Sequence, residues 1–192
     1  MSGTKDTVYW DTCIFFALLK KEQHKQGEYE SILKSSIAFD NGNLVIVTSA
    51  ITITELMAGK IDQEQKVRFR KMMTRSNFLV VDANDTVCNL ASEIREYFYN
   101  NRVDELFPTT PDAIHVASAI LTQVSTMVSF DQNNKRGQKE LAMNKMLIDG
   151  KVMGKYPLNI RRPAVGDQNE LQLSAPNQAE FSPEEGDDWP RE

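Results

Sequence analysis

The sequence has little cysteine and no long run of apolar residues. Of its 192 residues only Cys13 and Cys88 are cysteine, and neither belongs to a C-x-x-C pair. This excludes a zinc ribbon or a thioredoxin-like motif, and because both stand within apolar patterns we expect reduced, buried thiols in a cytoplasmic protein. The apolar runs are far shorter than the roughly 20 residues of a membrane span. The first letters, MSGTKDT, also lack the apolar core of a secretion signal.

Acidic charge is concentrated at the C-terminal end. Residues 167–192 hold eight acidic residues and one arginine; because the whole chain has 27 acidic and 22 basic residues, residues 1–166 keep 19 and 21. The end segment is rich in proline, glutamine and asparagine and has no apolar period, so it cannot bury enough surface to become ordered. We predict a folded domain over 1–166 and a disordered acidic tail over 167–192.

Short apolar runs alternate with helical patterns along the predicted domain. The runs predict four strands and a short fifth, at 7–10, 43–48, 77–82, 126–131 and within 156–163. The segments between them show apolar residues at helical spacing. This alternation predicts an α/β fold with a mainly parallel sheet of four to five strands and helices on both faces.

Four acidic residues stand at or near the carboxyl ends of these strands. Asp11 ends the first strand and Asp131 ends the fourth, whereas Glu55 follows the second and Asp112 opens a helix. Each position has a local explanation, since an acid can cap a helix or start a turn. Thr52 and Glu55 fit a capping box, and Thr110 fits a cap that leaves Asp112 in the first helical turn.

Taken together, the four acids point to chemistry. In parallel α/β sheets, ligands bind outside the carboxyl ends of the strands, where these acids meet. Clustered carboxylates repel unless a cation lies among them, and Mg²⁺ takes one or two carboxylates together with water and substrate phosphate. Such sites activate water and stabilise in-line phosphoryl displacement. The sequence therefore predicts a metal-dependent phosphoryl-transfer site and favours a nuclease.

Four motifs carry a family resemblance. The runs VYWDTCIF, VTSAITITELMAG, PDAIHVASAI and MVSFD occur in the order and spacing of the PIN-domain ribonucleases, and the sequence resembles their VapC-type toxin branch over residues 7–163. The resemblance implies a three-layer α/β/α sandwich, Mg²⁺ or Mn²⁺ as cofactor, and endonucleolytic cleavage of RNA. It also implies an antitoxin-like protein inhibitor as a partner and leaves room for a homodimer. No membrane partner is expected.

The resemblance assigns roles by position. Asp11, Asp112 and Asp131 fall on metal-binding positions, and Glu55 would complete the site or orient the attacking water. Two hydroxyl residues fall on supporting positions beside these acids, Thr12 and Ser129.

Two residues depart from the family pattern. Cys13 stands where the family commonly has asparagine, and a thiol is not expected to replace the hydrogen bonds of an amide. His115 stands where a small or apolar residue is usual. It lies one turn after Asp112 and therefore on the same helix face. It is either a packed or surface histidine, or a residue that supports the carboxylates or contacts a substrate phosphate.

Two basic segments are candidates for holding RNA phosphates. The first, 60–75, contains Lys60, Arg68 and Lys71, and the second, 132–139, contains Lys135 and Arg136. The alternative for the first segment is an ordinary solvated helix face.

Two other functions stay open at this stage. A catalytically silent PIN-like module would bind RNA or protein, but it would not need all four acids. A haloacid-dehalogenase-like phosphatase also begins with a strand that ends in aspartate, but it needs a second aspartate at the position of Cys13.

Overall fold

A parallel sheet of five strands forms the centre of the molecule. The computed structural model describes residues 5–58, 61–101, 105–132 and 140–164. The strands in chain order are β1 Asp6–Trp10, β2 Leu44–Ser49, β3 Phe78–Val81, β4 Thr126–Val128, β5 Leu147–Ile148, β6 Lys151–Val152, β7 Tyr156–Pro157 and β8 Asn159–Arg161. The main sheet has the order β3-β2-β1-β4-β8, and all its pairings are parallel.

Helices cover both faces of this sheet and connect its strands. They are α1 Thr12–Lys20, α2 Glu28–Asp40, α3 Ala50–Met57, α4 Gln63–Met73, α5 Asp85–Asn100 and α6 Thr110–Leu121. The cluster on one face joins residues of α1, α2 and α4, and the cluster on the other face joins residues of α5 and α6. The predicted three-layer α/β fold is confirmed.

The strand alternation explains the two cores. Tyr9 and Trp10 are neighbours on β1, and both are buried, yet they belong to different clusters because successive strand residues point to opposite faces. A central strand between two helical layers must therefore be apolar at every position on both faces. This is why residues 8–10 of β1 and 44–47 of β2 form continuous apolar runs and not alternating ones.

The last part of the described chain adds structure that the sequence patterns did not predict. A 3₁₀ turn, Met143–Met146, leads into a small antiparallel sheet of order β5-β6-β7. The predicted fifth strand is confirmed as β8, which pairs with β4 at the sheet edge.

Several local predictions were wrong. Helix α3 begins at Ala50 with Ser49 as its cap, so Thr52 lies inside the helix and the Thr52–Glu55 capping box does not form. Thr109, and not Thr110, caps α6. The prediction that both thiols are buried also fails, because Cys88 is exposed.

Other predictions concern parts that are not described. The acidic tail, 167–192, lies outside the described residues, so its disorder stays a prediction. Among the described residues, no helix is both long and apolar enough to cross a membrane.

Candidate active site

The four acids near the strand ends line one cleft of about 690 Å³. Asp11 directly follows β1, Glu55 lies on α3, and Asp112 lies in the first turn of α6. β4 ends at Val128, so Asp131 reaches the cleft from a loop three residues beyond the strand. Four separate segments therefore bring one carboxyl group each to the same place.

Asp11 is buried and accepts hydrogen bonds on both carboxylate oxygens. Its Oδ1 accepts from the backbone N–H of Thr12 at 2.7 Å, which caps α1. Its Oδ2 accepts from Ser129 Oγ at 2.7 Å and from Cys13 Sγ at 3.0 Å. Asp11 can therefore cap α1 and line the cleft at the same time. Ser129, which the motif placed beside the acids, donates a hydrogen bond to it.

The loop after β4 is held by a chain of short contacts. The N–H of Phe130 donates to Cys13 Sγ at 3.2 Å, and the N–H of Asp131 donates to Ser129 Oγ at 2.9 Å. From the other side, the N–H of Met143 donates to Asp131 Oδ2 at 2.9 Å. Asp131 is therefore oriented by the 3₁₀ turn that follows much later in the chain.

Cys13 performs both functions that an amide would supply. Its S–H donates to Asp11 and its sulfur accepts from Phe130. Burial, the charge of Asp11 and the hydrogen bond to Asp11 raise the pKa of the Cys13 thiol well above its usual range. The group therefore keeps its proton at neutral pH and remains a donor, contrary to the expectation that a thiol could not fill this position.

Asp112 is held by the helix cap beside it. Thr109 Oγ1 donates to Asp112 Oδ2 at 2.5 Å and accepts from the Asp112 N–H at 3.2 Å. Burial raises the pKa of Asp112 to about 6; the charges of Asp131 and Asp11 add to this, while the Thr109 bond opposes it. Three of the carboxyl groups are thus near enough to affect one another.

Glu55 is joined to Asp11 through Thr12 and His115. Thr12 Oγ1 donates to Glu55 Oε2. His115 Nε2 lies 3.4 Å from Glu55 Oε2 and 3.7 Å from Asp11 Oδ1. Both candidate supporting residues therefore contact the acids directly.

His115 is buried, with its second nitrogen on a tyrosine. Its Nδ1 lies 2.8 Å from Tyr9 Oη. Burial lowers the pKa of His115, but the hydrogen bond with Glu55 and the charges of Asp11, Glu55 and Asp112 outweigh it, so the pKa rises above its ordinary value. The raised pKa favours the protonated, positively charged form of this buried imidazole among the carboxylates. His115 is thus packed inside the protein, not at the surface, and it also lies close to two of the acids.

Sequence reasoning missed three hydroxyl groups behind the acids. Thr52 Oγ1 lies 3.2 Å from Thr12 Oγ1 and 2.7 Å from Thr48 Oγ1, which donates to the carbonyl of Trp10. The third is Tyr9. Their only trace in the sequence is a hydroxyl residue inside an apolar run, which is too common to indicate a role.

A second missed group fixes the β4 loop from outside. Arg162 donates to Glu28 through Nε at 2.5 Å and Nη2 at 2.9 Å, and to the carbonyl of Phe130 at 3.2 Å. The hydrogen bonding from Arg162 lowers the pKa of the Glu28 carboxyl group. His24 stacks on the Phe130 ring with centroids 3.8 Å apart.

The comparison with protein families decides the identity of the fold. The profile described as PIN domain matches residues 8–140, which is more than half of the chain. The chain belongs to the PIN-domain family. No curated protein matched it.

Three solved structures are similar to this PIN domain. VapBC2 from Rickettsia felis, bound to a DNA fragment from its promoter, is 17% identical; the match covers 64% of this chain and 86% of that one, with a TM-score of 0.49. A toxin–antitoxin complex from Klebsiella pneumoniae is 19% identical, with 70% and 95% covered and a TM-score of 0.46. VapC20 from Mycobacterium tuberculosis, a sarcin–ricin loop cleaving toxin, is 17% identical, with 62% and 86% covered and a TM-score of 0.47.

The donor groups of the PIN-domain cleft suit a hydrated, hard cation. Within the described ranges, no three His, Cys, Asp or Glu side chains stand close enough to hold one metal ion directly. Mg²⁺ does not require this, since it often binds through one or two carboxylates and keeps several waters. The raised pKa of Asp112 has the sign expected for carboxylates that a cation would stabilise.

Of the predicted RNA-binding residues, the structure describes two, and neither lies at the cleft. Arg68 and Lys71 are exposed on α4, and neither lines the cleft. Lys60, Lys135 and Arg136 lie outside the described residues. Their roles stay predictions.

Replacing Cys13 with alanine is expected to lower nuclease activity about tenfold, because Asp11 loses a donor and the Phe130 N–H loses its acceptor. Cys13→Ser keeps a donor and an acceptor and is expected to stay within a few-fold of the original. Single-turnover cleavage rates of both variants measure this. Equal rates for alanine and serine would show that the thiol contacts are unimportant.

Proposed function

We propose that this PIN-domain protein is a metal-dependent endoribonuclease that hydrolyses RNA phosphodiester bonds in the cytoplasm. Asp11, Asp112 and Asp131 would hold Mg²⁺ or Mn²⁺ directly or through water, and Glu55 would orient the attacking water. The observation that carries the proposal is the convergence of these four carboxyl groups on one cleft.

The surroundings of each carboxyl group support this assignment. Asp11 and Asp131 are oriented by donors from distant parts of the chain, Ser129 and the Met143 N–H. Glu55 accepts from Thr12 and contacts His115, so it keeps a fixed position beside Asp11. Side chains that are fixed in this way can place a reacting group accurately, which catalysis requires.

A bound divalent ion would supply charge stabilisation at the phosphate and a more acidic water. Two side chains of the protein would contribute to the reaction, Glu55 and His115. Glu55 is held in position to accept a hydrogen bond from the water and to take its proton. His115 offsets part of the negative charge of the acids, which lowers the cost of bringing a phosphodiester into the cleft.

The test is cleavage of a structured RNA by purified protein and by Asp11→Asn. We expect the variant to lose cleavage, whereas Asp85→Asn, which removes an exposed aspartate in the first turn of α5, should cleave normally. Cleavage that survives Asp11→Asn at an unchanged rate would refute the proposal. Binding of RNA without any cleavage would instead favour the silent module.

The phosphatase alternative has lost its support. The chain belongs to the PIN-domain family. In addition, Cys13 occupies the position where such a phosphatase needs its second aspartate, and its thiol donates a hydrogen bond to Asp11. Release of phosphate from a small monoester would be the result that revives it.

The proposal extends to regulation by a protein partner. Since the four motifs resemble VapC-type toxins, we include in it an antitoxin-like inhibitor that blocks the cleft. Expression of the chain should arrest growth, and co-expression of a small protein encoded by the neighbouring gene should relieve the arrest. Arrest by an Asp11→Asn variant would separate toxicity from cleavage and contradict this extension.

A further inference from the structure

Two aromatic rings line the same cleft as the carboxyl groups. Phe16 projects from α1 and Phe130 from the loop after β4, and both are only partly buried. Apolar side chains of this size are usually buried within a core. Here they stand at the cleft beside Asp11 and Cys13, where a substrate would meet them.

Each ring is in contact with a basic side chain, one at the end of α1 and one in the segment after it. Lys20 Nζ lies 4.8 Å from the centroid of the Phe16 ring. The His24 imidazole stacks on Phe130 with a centroid distance of 3.8 Å and an angle of 23° between the ring planes. His24 is exposed, so the stack continues from the cleft to the molecular surface.

The stack is held rigidly in place. Arg162 lies 5.1 Å from the centroid of Phe130 and also binds the carbonyl of that residue. The arginine is in turn fixed by two hydrogen bonds to Glu28, which is buried. A ring whose position is set in this way loses little conformational entropy when another planar group stacks beside it.

Charge favours the same side of the cleft. RNA is a polyanion and must gain affinity away from the acids, through cations near the rim. The segment 20–26 offers Lys20, Lys21 and Lys25 against Glu22, which pairs weakly with Lys20 and His24 at the surface. Helix α4 is more basic, but none of its residues lines the cleft, whereas the 20–26 segment meets two cleft-lining rings through Lys20 and His24.

We propose that Phe16, Phe130 and His24, with Lys20 beside them, form a stacking platform for unpaired bases of a single-stranded RNA that enters the cleft. The inference rests on the proposed ribonuclease function and names the form of its substrate. Stacking on aromatic rings accepts every base but requires that the base be unpaired. The platform therefore selects single-stranded segments, loops and ends over continuous duplex.

The test is fluorescence anisotropy with full-length protein that carries Asp11→Asn, so that the probe stays intact. The probes are a labelled oligoadenylate, the matching oligouridylate and a blunt RNA duplex. His24→Ala removes the exposed ring of the stack, and His24→Phe keeps a ring without its nitrogens. Tyr99→Ala is the matched control, because Tyr99 is also an exposed aromatic residue but does not line the cleft.

We expect His24→Ala to weaken binding of oligoadenylate about fivefold or more, which corresponds to the loss of one stacked base. His24→Phe should bind nearly as well as the parent, and Tyr99→Ala should change nothing. Oligouridylate should bind more weakly than oligoadenylate because uracil stacks less well. Duplex binding should not respond to His24→Ala, and thermal unfolding of all variants should be unchanged because these side chains are at the surface.

Three results would overturn the inference. Unchanged oligoadenylate binding in His24→Ala would show that the stack is surface packing only. Equal losses in His24→Ala and His24→Phe would show that charge, and not stacking, matters. A loss confined to an Arg68→Ala/Lys71→Ala double variant would place RNA on α4. If the stacking results hold but the parent protein never cleaves RNA, the proposed function fails and the platform stands.

Discussion

Replacement of Asp112 with asparagine is expected to reduce RNA cleavage about a hundredfold or more and to stabilise the metal-free protein. The loss of cleavage follows because one of the three proposed metal-holding carboxylates becomes neutral. The gain in stability follows because burial, Asp131 and Asp11 all disfavour the charged form of this group. Function and stability are therefore opposed at this residue.

The gain in stability should depend on pH. The pKa of Asp112 is about 6 in the folded protein, against 3.8 ordinarily. Well below pH 3.8 the group is protonated in both the folded and unfolded states, so it does not affect the free energy of unfolding there. As pH rises from 4 to 6 the unfolded state loses its proton first, and above pH 6 the full penalty of roughly 1–3 kcal/mol remains.

Denaturant unfolding in EDTA at two pH values measures this effect. The asparagine variant should be more stable than the parent at pH 7.5 and about equal to it near pH 4. Asp85→Asn is the control, since Asp85 also lies in the first turn of a helix but is exposed. A destabilised Asp112→Asn variant at pH 7.5 would contradict the argument that burial and the neighbouring acids disfavour the charged form of Asp112.

Replacement of His115 with leucine is expected to destabilise the protein by about 2–5 kcal/mol. Leucine has a suitable size for the buried position, but it leaves the Tyr9 hydroxyl and Glu55 without their imidazole partner. It also removes the imidazole that lies beside Asp11 and that would pair with it when protonated. Cleavage should fall as well, because Glu55 loses a contact that positions it.

The loss of stability in His115→Leu should also depend on pH, but here the raised pKa stabilises the folded protein at low pH, whereas the raised pKa of Asp112 destabilises it at high pH. The folded-state pKa of His115 lies above 6.5, so ion pairing stabilises the folded protein fully below pH 6.5 and fades as pH rises through the raised pKa. The difference in unfolding free energy between parent and His115→Leu should therefore shrink with rising pH. His24→Leu, at the chain's other histidine, is the control for stability. A difference that grows with pH would contradict a protonated His115.

The sequence patterns predicted the central parallel sheet and its helices, and they named the four acids that line one cleft, but they did not predict the small antiparallel sheet. Residues 8–10 of β1 and 44–47 of β2 are continuously apolar because helices cover both faces of the sheet there, and that pattern is readable from the chain. The acids at the strand ends then meet for a topological reason, because parallel strands deliver them to one edge. The order of the four motifs carried the family assignment.

The contacts that refine the site could not be predicted. The Tyr9–His115 bond joins residues 106 positions apart, and the Arg162–Glu28 pair joins residues 134 apart. Neither has a local pattern, since each depends on how two layers pack. Local rules also failed by small shifts: α3 and α6 begin earlier than the capping patterns suggested, with Ser49 and Thr109 as their caps.

The most direct test of the central proposal is the metal dependence of RNA cleavage by chelator-treated protein. We predict that cleavage stops in EDTA, returns when Mg²⁺ or Mn²⁺ is added in excess, and is not restored by either ion in Asp11→Asn. Cleavage that continues in EDTA and leaves 2′,3′-cyclic phosphate ends would reveal attack by the RNA's own 2′-hydroxyl. That result would contradict a site in which Asp11, Asp112 and Asp131 hold a catalytic metal ion.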